Sequence, residues 1–167
     1  SATLGLEIVE YLKSINTKID NLLISVGGGG LISGVSSYVK QFYPKIKIIG
    51  VEPENAKGLS QSFEANKPLN NIKVNSIADS LSAPLHMKYS FDVAKQVIDK
   101  MVTVSDDEMK EFMVFCYKNF KLFLEPACVA GLAALKYKIN SELNGNNTMV
   151  ILCGSNIDKQ TWVNLTN

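Results

Sequence analysis

The sequence predicts a three-layer α/β fold, a parallel sheet with helices packed on both of its faces. Three observations predict it. Short, mostly apolar runs at residues 20–26 (DNLLISV), 46–51 (IKIIGV), 101–104 and 149–153 are spaced along the chain. Such runs, apolar without a period of two, are typical of strands buried on both sides. Between them lie longer stretches whose apolar residues recur at the three-to-four-residue spacing of a helix face. Strand and helix therefore alternate, an order that favours parallel strands joined by right-handed crossovers.

Length and composition bound the rest. The 167 residues are enough for one domain, and 46% hydrophobic with 20% charged residues is a globular profile. Seventeen basic residues against sixteen acidic leave a formal net charge of +1, which gives no electrostatic basis for binding nucleic acid or an anionic membrane. Every basic residue is Lys, so no arginine of this chain can grip a carboxylate or phosphate in bidentate fashion. Cys116, Cys128 and Cys153 form no CxxC pair and read as reduced thiols of an intracellular, cytoplasmic protein. No apolar run is long enough to span a bilayer, and Ser1 opens on an amphipathic segment rather than a signal peptide. The lack of an initiator Met suggests a piece of a longer chain.

The elements follow in order. Leu4, Ile8, Tyr11, Leu12 and Ile15 recur at helical spacing opposite Glu7, Glu10 and Lys13, which marks a surface helix. The first strand, 20–26, runs into four consecutive glycines, Gly27 to Gly30, and residues 31–42 follow as a helix. Pro44 ends that helix, because the residue before a proline avoids helical angles. The second strand, 46–51, is closed by Glu52-Pro53, and residues 56–65 form a short helix. Residues 66–73, rich in Asn, Pro and Lys, read as surface loop, and 77–84 (IADSLSAP) has no period. Phe91, Ala94, Val97 and Ile98 mark a helix ahead of the third strand, 101–104. Ser105 and Glu108 form a capping box, after which Met109, Phe112, Met113, Cys116 and Phe120 fall on one helix face. Glu125-Pro126 starts the next helix, whose Ala127, Ala130, Gly131 and Ala134 permit close packing. A turn at 144–147, the fourth strand, 149–153, and a short terminal helix complete the chain.

Two segments carry chemistry at the carboxyl ends of strands, where ligands sit in parallel sheets. In Val26-Gly27-Gly28-Gly29-Gly30-Leu31, four residues without a Cβ let the backbone approach an anion, and the N–H groups of the following helix's first turn converge on it. The plain alternative is a tight turn or hinge with no ligand. The spacing is neither GxGxxG nor GxxxxGK[ST], which weakens dinucleotide and Walker-type readings. In Cys153-Gly154-Ser155-Asn156, a thiol at the end of the last strand points toward the same crevice and could donate a weak hydrogen bond to a heterocyclic nitrogen. Its plain alternative is a buried core thiol. Glu125 suits a helix start, and His86, the one histidine, lies in a loop with no readable partner. No metal-ligand spacing occurs among His, Cys, Asp and Glu.

Taken in order, these segments resemble the fold-type II pyridoxal-phosphate enzymes, in the threonine/serine dehydratase (ammonia-lyase) and serine racemase branch. The matching pieces are Thr3-Leu4-Gly5-Leu6-Glu7-Ile8, Val26 to Leu31, Gly50-Val51-Glu52-Pro53-Glu54-Asn55-Ala56, Ile77-Ala78-Asp79, Val102-Thr103-Val104-Ser105, Leu124-Glu125-Pro126-Ala127 and Leu152-Cys153-Gly154-Ser155-Asn156. The tetraglycine and the final Cys-Gly-Ser-Asn are the specific ones.

The resemblance implies a Rossmann-like large-domain portion of a tryptophan-synthase-β-like fold. It implies a cofactor, pyridoxal 5′-phosphate, held by Gly27, Gly28, Gly29, Gly30 and Leu31 at its phosphate, by Cys153 at its ring nitrogen, and with Glu125 beside it. It also implies α,β-elimination of a small hydroxy amino acid, threonine or serine, to a 2-oxo acid and ammonia, as in threonine deamination and isoleucine biosynthesis. The family's Schiff-base lysine and substrate-carboxylate loop match nothing here, so residues 1–167 are expected to be the C-terminal part of the cofactor-binding domain. That part is expected to be inactive alone and homo-oligomeric when complete. Glu52 and the Ala56 carbonyl fall where some relatives hold a divalent cation, but the third ligand position is Gly58, so no metal is expected. Ser80 stands where the family usually has Gly, and Cys128 and Val129 alter its small-residue run. Serine racemisation, and a non-catalytic Rossmann-like phosphate or nucleotide module, stand as alternatives.

Overall fold

A computed structural model describes residues 1–167. All four strands are present: β1 (Asn21–Ser25), β2 (Lys47–Pro53), β3 (Lys100–Val104) and β4 (Thr148–Val150). They form one sheet in the order β3-β2-β1-β4, and every pairing is parallel. Leu22 stands opposite Ile48 and Met149, and Leu23 opposite Ile49 and Val150, so the apolar positions line up across the sheet.

Period-two alternation then sends them to two cores. Leu22, Ile24 and Ile48 pack with the buried faces of α1 (Ala2–Ser14), α2 (Gly30–Phe42) and α4 (Lys88–Val97). Val51 and Val104 pack on the other side with α5 (Asp106–Phe120), α6 (Pro126–Tyr137) and α8 (Lys159–Thr166). On that side Leu23 and Ile49 also meet Ile139 and Leu143, the latter from α7 (Asn140–Leu143). The predicted three layers are therefore the observed ones. No helix is long and apolar enough to cross a membrane.

The order of connections places the site. From β1 the chain steps to β2 and then β3 through α2, α3 (Gly58–Glu64) and α4. It returns through α5, α6 and α7 to β4, on the other side of β1. Connections therefore leave the β1–β4 pair in opposite directions, and a crevice opens between their carboxyl ends, the topological switch point of an open α/β sheet.

Local chemistry explains most element ends. Ser105 Oγ accepts from the Glu108 N–H at 3.2 Å while the Glu108 carboxylate accepts from the Ser105 N–H at 2.8 Å, the expected capping box of α5. Pro126 sits in the first turn of α6 after Glu125, and Ala127, Ala130, Gly131 and Ala134 are buried as the small-residue pattern predicted.

Three expectations need correction, and one element is additional. The fourth strand ends at Val150 rather than at 153; past it the Ile151 N–H still reaches the Leu23 carbonyl, but Leu152 and Cys153 are exposed beyond the ladder. The β1–β4 ladder ends at Leu23 opposite Val150, while β1 runs on to Ser25 against β2. The helix expected over 56–65 divides into a 3-10 turn, Glu54–Ala56, and α3, because the Glu52 carboxylate takes the first N–H groups of α3. Phe120 is not on the buried face: it is exposed in the last turn of α5, edge-on to Phe115, just before left-handed Lys121. The one-turn α7 was not foreseen, since four residues show no periodicity.

Ser105→Ala removes one half of the reciprocal cap. We expect a loss of about 1 kcal/mol, read as a lower midpoint in chemical denaturation with an unchanged m-value.

Candidate functional site

A cleft of about 220 Å³ occupies the switch-point crevice. Gly27, Gly28, Gly29, Gly30, Leu31, Glu125 and Cys153 all line it, together with Ser80. Residues far apart in the chain thus meet because β1 and β4 are neighbours and α6 begins at the same end of the sheet.

The glycines fall into distinct kinds. A Cβ on Gly27 would stand 2.8 Å from the Ser80 carbonyl oxygen, so this residue is fixed by close approach of the 79–81 turn. Gly29 has φ +82° and is the N-cap of α2, a left-handed position that disfavours side chains. Gly28 and Gly30 are under neither constraint, since a Cβ on either meets nothing within 4 Å and both are exposed. Their bareness keeps space open rather than relieving a clash. The N–H groups of Gly28, Gly29, Gly30 and Leu31 have no acceptor within the protein, and no side chain caps α2. Unpaired donors at a helix N-terminus, backed by the helix dipole, form an anion-attracting concavity.

Glu125 is 8% exposed and does not cap its own helix. Its Oε1 accepts from the Ser80 hydroxyl at 2.8 Å and its Oε2 from the Asn156 N–H at 3.0 Å. The carboxylate is therefore a strut between the 79–81 turn and the segment that follows β4. Cys153, exposed at the cleft wall, is not the core thiol of the plain alternative. The core thiols are Cys116 and Cys128. Burial pushes Cys128 up to about 12, with lesser contributions from Cys153, Cys116 and Glu125.

Glu52, at the end of β2, is 1% exposed. It accepts from the Leu59 N–H at 2.7 Å, the Ser60 N–H at 3.0 Å and the Ser60 hydroxyl at 2.6 Å. Burial holds its carboxyl above the ordinary value of 4.5, opposed by the Ser60 and Leu59 hydrogen bonds and by the charge of Lys57. The carboxylate already serves the start of α3.

Two residues at the site were not found by sequence reasoning as contacts. Ser80 was noted only as a departure from glycine, and its bond to Glu125 spans 45 residues. His86, read as partnerless, is buried with Nε2 3.0 Å from the Gly27 carbonyl oxygen. A partner that is a backbone atom carries no sequence signal; the weak hint was a lone histidine between apolar neighbours.

Known proteins resemble this chain in sequence and in fold. The family model described as pyridoxal-phosphate dependent enzyme matches residues 1–154. The phenylserine dehydratase of Ralstonia pickettii is 41% identical over 97% of this chain and 48% of its own length. The structure of the processed form of threonine deaminase isoform 2 from Solanum lycopersicum superposes with a TM-score of 0.89 at 32% identity, covering 99% of this chain and 47% of that one. Maize serine racemase gives 0.86 at 30% identity, covering 98% and 49%. The chain thus spans about half the length of the curated relatives it matches.

Two outcomes follow from the ionisable groups. Brief treatment of the folded protein with iodoacetamide should label Cys153 and spare Cys116 and Cys128, as read by peptide mass spectrometry. For Glu52 the folded pKa lies above the unfolded one, so its proton favours the fold and its ionisation opposes it. The stability of wild type relative to Glu52→Gln should therefore be greatest near pH 4.5 and below. It should fall as pH rises to the folded pKa and level off above it, measured by denaturation of both proteins across that range.

Proposed function

The chain belongs to the family of pyridoxal-phosphate dependent enzymes, and on that premise we propose that the switch-point cleft holds pyridoxal 5′-phosphate by its phosphate. The observation that carries this reading is the run of free N–H groups from Gly28 to Leu31 beside glycines whose Cβ direction is open. A cradle that side chains would fill, and that lacks acceptors of its own, fits a phosphate dianion. Gly27 completes the bend, and the dipole of α2 adds roughly 0.3–1 kcal/mol for a negative group at its N-terminus.

Cys153 stands at the other wall, where its thiol would donate a weak hydrogen bond to the ring nitrogen of the bound cofactor. Such a neutral donor does not enforce a charge on the ring as a carboxylate would. The Glu125 strut keeps the 154–156 turn against the cleft and so holds Cys153 in place. When bound, the cofactor supplies an electron sink for charge developing at the substrate Cα. A moderate sink suits a substrate that sheds a β-substituent at once, so the reading is a lyase that eliminates water from a β-hydroxy amino acid and takes a water back as the released enamine hydrolyses to a 2-oxo acid and ammonia.

Threonine or serine is the substrate this reading favours, in the cytoplasm, and isoleucine biosynthesis is one route it would serve. The relatives named threonine dehydratase and threonine deaminase support threonine. None of the residues lining the cleft is a lysine. The covalent lysine anchor and the grip on the substrate carboxylate are accordingly assigned to sequence outside these 167 residues, which act as the cofactor-binding part. Exposed apolar side chains, Tyr11, Phe42, Met87 and Phe120 among them, are surfaces that a homo-oligomer would cover.

Racemisation is the second reading, favoured by the likeness to maize serine racemase. Incubating the complete protein with L-threonine and L-serine separates the two. Release of 2-oxo acid and ammonia in equal amounts supports the lyase; accumulation of the D-amino acid without ammonia overturns it. Gly28→Asp should abolish binding of pyridoxal 5′-phosphate by adding bulk and negative charge to the cradle. Unchanged cofactor absorbance on titration would show the site to be misassigned, and specific affinity for a nucleotide base instead would favour a plain binding module.

A further inference from the structure

We propose that His86 is a positioning residue of the anion site, a lock that holds the Gly27–Gly28 peptide with its N–H toward the cleft. The proposal rests on the phosphate reading above and adds a side chain to it.

His86 is turned against the pattern of its own loop. Leu85 and Met87 are 44% and 68% exposed, while the polar residue between them is 3% exposed. The loop is pinned to the body by the His86 N–H to the Leu69 carbonyl at 3.2 Å and by the Ile72 N–H to the Pro84 carbonyl at 2.8 Å. The imidazole fits against the start of α3, where a Cβ on Gly58 would stand 2.9 Å from its Cε1. Inside, the ring makes one polar contact, from Nε2 to the Gly27 carbonyl at 3.0 Å. A carbonyl oxygen only accepts, so Nε2 carries the hydrogen, and Nδ1 is buried with no partner.

The consequence lies in the peptide plane. In a trans peptide the C=O and the following N–H point in opposite directions. His86 does not line the cleft, whereas Gly27 and Gly28 do. Drawing the Gly27 oxygen back to His86 therefore drives the Gly28 N–H forward. Between two glycines this plane has little intrinsic preference, because neither flanking residue has a Cβ to resist a flip. A flipped plane would present a carbonyl oxygen to the anion in place of a donor. On the other side, the 79–81 turn fixes Gly27 in place but makes no hydrogen bond to its carbonyl. The orientation thus depends on one hydrogen bond from a side chain 59 residues away.

The test compares wild type, His86→Phe and His86→Gln in the complete protein, titrated separately with pyridoxal 5′-phosphate, pyridoxal and inorganic phosphate. His86→Phe should weaken the two phosphate-bearing ligands about tenfold while pyridoxal changes by less than about twofold. His86→Gln, whose amide can donate over a similar reach, should recover most of the loss. The 31P resonance of the bound cofactor should shift in His86→Phe and return in His86→Gln. Equal binding of the phosphate ligands by His86→Phe, or a parallel loss of pyridoxal, would overturn the lock and leave His86 a packing residue. Wild type with no preference for pyridoxal 5′-phosphate over pyridoxal would instead overturn the phosphate reading itself. Should His86→Phe not fold, 15N spectroscopy of the wild-type imidazole decides, since a proton found on Nδ1 with Nε2 bare excludes the lock.

Discussion

A short row of main-chain N–H groups left without acceptors is the constraint around which the carboxyl end of this sheet is arranged. Main-chain donors at a helix N-terminus that lack a protein acceptor are left to solvent or to a ligand. Here four successive donors, Gly28 to Leu31, open on one cleft. Surrounding features keep that row in place: the turn at 79–81 against Gly27, the imidazole behind its carbonyl, and the left-handed Gly29 that launches α2. The strut from Glu125 to Ser80 and Asn156 then ties the opposite wall to the same turn. One small turn, Asp79–Leu81, touches both halves of the site.

The fold was legible because its signals are local. Strand runs such as residues 46–51 and the Ser105–Glu108 box are read within a few residues, and parallel pairing follows from alternation. The main errors fell where long-range contact decides. β4 leaves the ladder at Val150 while β1 runs on beside β2, and α3 starts late because a carboxylate from β2 claims its first amides. Phe120 has the right spacing for the core but lies in the last turn before the chain leaves the helix.

The site was legible in part for the same reason. The tetraglycine announces itself, and Cys153 follows from its place after an apolar run. Glu125 was found, but with the wrong local role: a helix-starting acid was the plain expectation, and the structure spends both oxygens elsewhere. His86 was missed because its partner is a carbonyl, and every residue has one. Bonds from a side chain to distant backbone leave no complementary residue to recognise, so they stay hidden until the chain is folded.

An anion held by amides rather than by charged side chains is recognised by atoms that every residue but proline possesses. No acylating or carbamoylating agent aimed at lysines can strip that grip away. Among codon changes only one to proline deletes a donor outright; any other alters the cradle by planting a side chain in it or by twisting the chain that carries it. Such a site is chemically hard to wound and sterically easy to spoil.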